Sequence, residues 1–138
     1  MPPFRPERFR EIAEKIHGGN VLGSSETRHR LVAGRCYYAS YLSVCVAMYA
    51  EHKVSSGIRY PKHWDISQEL AKKGKGEIKD IGLALVDLLA RRHHADYELN
   101  VEMLEDDGDD SIADAQRLAK LLTADVIKRL PLLTGDPK

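Results

Sequence analysis

The chain has 138 residues, 43% hydrophobic and 30% charged, with 21 basic against 21 acidic side chains, so its net charge at pH 7 is zero. That length and composition suit one globular domain needing neither disulfide nor structural metal, and they exclude a disordered tail or a fibre. The neutral sum excludes a uniformly basic polyanion binder, but it conceals a split: residues 1–94 carry 16 basic and 10 acidic groups, whereas residues 95–114 carry 9 acidic groups and no basic one.

In chain order, Met1 to Pro6 lacks the apolar core of a secretory signal. Phe9, Ile12, Ala13 and Ile16 recur at helical spacing and predict a short helix over 5–17, ended by Gly18-Gly19-Asn20. A loop with Gly23-Ser24-Ser25 leads into a long helix predicted from Ser25 to Val54, closed by Ser55-Ser56-Gly57. Leu31, Tyr38, Leu42, Cys45, Val46 and Tyr49 form its expected core stripe. Its uncharged run, Cys36 to Ala50, is 15 residues long, short of the roughly 20 apolar positions a membrane span needs. A cytoplasmic protein without membrane contact is the expectation.

The two cysteines, Cys36 and Cys45, fall on opposite sides of that helix, roughly 13 Å apart along its axis, and cannot bridge. They are expected to be buried, reduced thiols. No Cys/His ligand spacing occurs, so neither a metal nor a cofactor is expected.

Residues 57–65 read as a loop, with Asp65 capping a helix from Ile66 to Lys73 that Gly74 and Gly76 break. A fourth helix follows from Glu77 to Arg92 or beyond, with Ile78, Ile81, Leu85, Leu88 and Leu89 on one face. Residues 100–110 read as a solvated acidic loop, because the run Glu105 to Asp110 lacks the ligand pattern of an EF-hand. Ser111-Ile112-Ala113-Asp114 resembles a capping box opening a last helix to Leu130, where Pro131 stops it. The fold class is all-α, a four- to five-helix up-and-down bundle over 1–138 with its core over about 25–130.

Polar residues on apolar stripes carry the most information, because a buried charge must be paired or used. On a helical wheel Arg92 and Asp96 extend the stripe of the fourth helix, at the spacing of four where side chains meet. Arg35 falls on the expected core stripe of the long helix. Two uses remain open: Asp96 neutralises Arg35, Arg92 or both, or the arginines line a cleft that holds phosphate. The run Arg91-Arg92-His93-His94-Ala95-Asp96-Tyr97 is the densest chemistry in the chain. Guanidinium plus imidazole or phenol suffices for metal-free RNA cleavage by proton transfer.

Two stretches carry a family resemblance. Arg35-Cys36-Tyr37-Tyr38-Ala39-Ser40-Tyr41 resembles the Arg-Ala-Tyr-Tyr-Ala-Ala-Phe signature in the long helix of HEPN-domain proteins. Leu88-Leu89-Ala90-Arg91-Arg92-His93-His94-Ala95-Asp96-Tyr97 is similar to the Leu-x-x-Leu-Arg-x-x-x-Ala-Asp-Tyr stretch of the same family. The resemblance implies a helical homodimer of the prokaryotic toxin–antitoxin and defence type, often paired with a nucleotidyltransferase. Active members cleave RNA without metal, using an Arg and a His four to six residues later. Here Tyr97 stands five positions after Arg92. In that scheme Arg92, Tyr97 and His93 are catalytic candidates, and Arg91, Arg35 and Asp96 would bind substrate. The alternative is a non-catalytic module that binds RNA, a nucleotide or a partner protein, with Lys72-Lys73-Gly74-Lys75 as a further basic patch.

Overall fold

The computed structural model describes residues 6–18, 25–53, 63–98, 100 and 102–133. Among the described residues every regular element is a helix: α1 (Glu7–Gly18), α2 (Ser25–Glu51), α3 (His63–Lys73), α4 (Glu77–Tyr97), α5 (Glu105–Leu121) and α6 (Ala124–Arg129). The all-α expectation holds, but the described residues form six helices rather than four or five, because the expected last helix is divided. The expected closure at Ser55-Ser56-Gly57 and the loop over 57–62 lie outside the described residues.

α2 is the axis of the bundle and packs against α1, α4, α5 and α6, while α3 lies on α4. Its length and apolar composition alone would suit a membrane span, yet more than half of its most apolar window is buried inside the protein. Val32, Cys36, Tyr37, Val44, Cys45 and Met48 of α2 meet Ile81, Leu85 and Leu88 of α4 and Leu118 of α5 in one cluster, which also takes Ala13 of α1 and Ile66 and Leu70 of α3. The short first helix is therefore part of the core rather than an appendage to it.

The expected stripe on α2 is corrected. Of that stripe only Cys45 is fully buried; Leu31, Tyr38, Leu42 and Tyr49 are partly buried and Val46 is exposed, whereas Val32, Ala33, Cys36, Ser40 and Val44, roughly on the opposite side, are enclosed. Small side chains there let neighbouring helices come close, and interhelical distance follows the residues at the contact. Large apolar residues alone pointed to the wrong face.

The acidic loop is corrected as well. α5 begins at Glu105, so the acidic run forms its first turns, with Leu104 as the N-cap. The Leu104 N–H donates to the Asp107 carboxylate at 2.9 Å, and anionic side chains in a first turn are favoured by the helix dipole. Ser111 opens nothing; it is buried in mid-helix. The last helix is also divided: the helix ends at Leu121, and the Val126 N–H donates to Thr123 Oγ1 at 3.3 Å to start α6. On α3, Asp65 lies in the first turn rather than at the cap.

Two features fix the packing tightly. A Cβ placed on Gly82 of α4 would lie 2.2 Å from the Ala71 backbone nitrogen of α3, so the two helices touch through their backbones. At the end of α4, Arg30 of α2 donates to the carbonyl of Ala95 at 2.8 Å, which the helix end leaves open, and at 3.2 Å to that of His94, which also accepts the Glu98 N–H. Glu26 holds Arg30 at 2.8 Å and accepts the Met103 N–H at 3.3 Å. The Arg30 hydrogen bond, then the Met103 N–H, keep the Glu26 carboxyl below its ordinary range.

Gly82→Ala should cost at least about 2 kcal/mol in urea unfolding, since backbone atoms cannot step aside for the methyl. Burial pushes the thiols of Cys36 and Cys45 up to about 12, so neither should react with Ellman's reagent in the native protein, and both should react after denaturation.

Candidate functional site

The fourth helix places its charged run as periodicity predicts, but the members diverge in space. Arg92 points along the core stripe: its Nε lies 3.1 Å from the Asp96 carboxylate, and its guanidinium covers the rings of Tyr38 at 5.2 Å and Tyr37 at 5.9 Å. The i, i+4 pairing is thus present, strengthened by cation–π contact. Tyr37 stacks in turn on Tyr41 at 5.9 Å, and burial raises its phenol well above the ordinary tyrosine range.

Arg35 departs from expectation. It is exposed rather than turned into the core, with its guanidinium 5.5 Å from the centre of the Phe9 ring of α1, and it pairs with no carboxylate among the described residues. This follows from the corrected orientation of α2, because the stripe carrying Leu31, Arg35, Tyr38 and Leu42 is its least covered side. Beside it a shallow pocket of about 190 Å³ is lined by Arg30, Leu31, Gly34, Arg35, Tyr38 and Asp96. Arg35, Tyr38 and Asp96 therefore do share one concavity, with Arg92 held beside it by Asp96 and Tyr38.

Arg91 belongs elsewhere. Its guanidinium donates to Asp114 of α5 at 2.7 Å, with both side chains largely covered, so it ties two helices together and is withdrawn from any ligand. His93 and Tyr97 form a third group, their rings 4.9 Å apart on the solvent side of α4, with Tyr97 65% exposed. About 140° of helix circumference separates Tyr97 from Arg92. Within one chain the three catalytic candidates do not converge on a common point.

The basic run at the end of α3 borders a larger cavity, of about 500 Å³, floored by Leu70, Ile78 and Leu133. Two of its three cations are engaged, Lys73 at 2.8 Å from Glu69 and Arg129 with both Glu77 and Asp125 at 3.2 Å, and the third, Lys75, lies on the exposed rim. An anion entering there would compete with carboxylates, whereas Arg35 would have to give up none. Size favours the larger cavity, whereas the smaller offers a guanidinium, whose planar fork matches a phosphate better than the point charge of Lys75 does.

Sequence reasoning missed Arg30, Glu26 and Phe9. The Glu26–Arg30 spacing of four was visible as a helical pair, but nothing local showed that Arg30 reaches the end of another helix. No protein-family model matches the chain, and no curated protein or solved structure matches it.

The different placements separate by mutation. Arg91→Ala should lower stability by about 1 to 2 kcal/mol by leaving Asp114 half-buried and unpaired. Tyr97→Phe and His93→Ala should stay within about 0.5 kcal/mol of the parent in the same urea titration.

Proposed function

We propose that this chain is a HEPN-like helical module that binds a phosphate-bearing ligand, RNA or a nucleotide, in the pocket between the start of α2 and the end of α4. The observation that carries this reading is Arg35, an exposed guanidinium without a carboxylate partner among the described residues, beside the Tyr38 ring and the Arg92–Asp96 pair. Guanidinium matches phosphate in a bidentate manner. Asp96 rims the same pocket and sets Arg92 in position while the site is free; an incoming phosphate competes with that carboxylate for the arginine.

A second reading is favoured by the exposed His93–Tyr97 pair. As a metal-independent endoribonuclease, the protein would use one of these groups to take the ribose 2′-hydroxyl proton as that oxygen attacks the adjacent phosphate. The other would protonate the departing 5′-oxygen, and arginine would stabilise the crowded phosphorane. Because Arg92 and Tyr97 diverge on one chain, this reading requires a homodimer in which one copy's arginine faces the other's His93 and Tyr97.

Fluorescence anisotropy with labelled single-stranded RNA tests the first reading. Binding should weaken steeply with salt, and Arg35→Ala should weaken it across sequences while reducing the salt slope by about 1. Unchanged affinity in Arg35→Ala would overturn the assignment. The same mixtures, kept free of metal and run on a denaturing gel, test the second: cleavage that disappears in His93→Ala supports it, and intact RNA sinks it.

A further inference from the structure

Away from that pocket, the last turn of α1 meets the first turns of α5. His17, Glu105 and Asp109 each bring a ligand atom within 4.8 Å of the others. His17 Nε2 is in hydrogen-bond contact with Asp109 Oδ1, and only 15% of the histidine side chain is exposed. Glu105 and Asp109 are four residues apart and so project from one side of α5. His29 of α2 stands behind, its ring 6.0 Å from that of His17. The Nδ1 atoms of both histidines are buried without a hydrogen-bond partner among the described residues.

A helix opening with acids explains none of the rest. A single histidine–carboxylate bond would account for Asp109, yet Glu105 converges on the same imidazole, placing two like charges together. Gly108 makes the convergence possible: a Cβ there would lie 2.7 Å from His17 Cε1 and 2.9 Å from its Nδ1, so any side chain would push the ring away from the helix. Glycine is a poorer helix former than alanine, and here it makes room for the imidazole.

We propose that His17, Glu105 and Asp109 bind a divalent first-row transition cation of the Zn²⁺ class, with His29 packed behind the His17 ring. One imidazole nitrogen and two carboxylate oxygens suit Zn²⁺, Co²⁺ or Ni²⁺, and exposed carboxylates leave room for water to complete the shell. Mg²⁺ and Ca²⁺ prefer all-oxygen sites and are disfavoured. The cation relieves the repulsion between the carboxylates and joins α1 to α5, so it acts as a clasp on the N-terminal helix. This site is independent of the phosphate-binding reading.

The test uses the full chain, stripped with chelator, titrated with Zn²⁺ against a fluorescent zinc indicator and followed in parallel by thermal melting. One Zn²⁺ should bind per chain and raise the melting temperature, while Mg²⁺ and Ca²⁺ should not. Glu105→Gln and Asp109→Asn should each weaken Zn²⁺ binding by about tenfold or more, and Gly108→Ala should do the same without removing a ligand. Glu105 is solvent-exposed, so its variant should keep the parent's circular dichroism and remain interpretable. No zinc uptake by the parent, or parental affinity in Glu105→Gln, would overturn the proposal.

Discussion

α2 has almost no polar side, and the rest of the protein is arranged around that fact. A helix that is apolar round most of its circumference must be enclosed by other helices, and α1, α4, α5 and α6 each take part of its surface. Their combined cover leaves one stripe incompletely enclosed, running through Leu31, Arg35, Tyr38, Leu42 and Val46. The candidate pocket lies on that stripe because it is where the covering helices stop. The site is thus a consequence of how the core closes, and its chemistry is set by which side chains occupy the remaining strip.

The start of α2 and the end of α4 form a single junction. Glu26 orients Arg30, Arg30 occupies the terminal carbonyls of α4, and one turn earlier Arg92 lies over the tyrosines of α2. Positive charge at the C-terminal end of a helix is favourable, so the same guanidinium that fixes the geometry also stabilises the helix carrying Arg92 and Asp96. This explains how two strongly polar residues can continue an apolar stripe: each is paired, and the ring of Tyr38 supplies the surface that a neighbouring aliphatic side chain would otherwise offer.

Much of the helical order was legible in the sequence, because turn residues and 3.6-residue periodicity report on local structure. On α4 both the buried face and the Arg92–Asp96 pair followed directly, since a helix with one apolar stripe has only one way to sit. α2 was not legible in this way. With apolar residues on every side, periodicity could not choose among faces, and the choice fell to small residues such as Ala33, Cys36 and Ser40 that permit close approach. The start of α5 was obscured because acidic residues that look like a solvated loop are also what a helix N-terminus favours. Arg91 and Arg35, expected to share a role, part for a related reason: whether an arginine is neutralised depends on a carboxylate far away in sequence, here Asp114 for Arg91. His17 and Asp109, 92 residues apart, were beyond any local signal.

The backbone contact at Gly82 also bears on how the molecule assembles. α3 and α4 are joined by only three residues, Gly74 to Gly76, so bringing them together closes a short loop at small entropic cost. The meeting of α1 with α5 closes a loop several times longer and comes with fewer packed neighbours to offset it. Local pairings of this kind form readily and distant ones follow, which makes α3–α4 and α1–α2, whose ends are separated by six residues in sequence, the natural early pairs, and the packing of α2 on α4 and α5 the later event. In native-state hydrogen exchange, the amides flanking Gly82 would then be among the slowest to open.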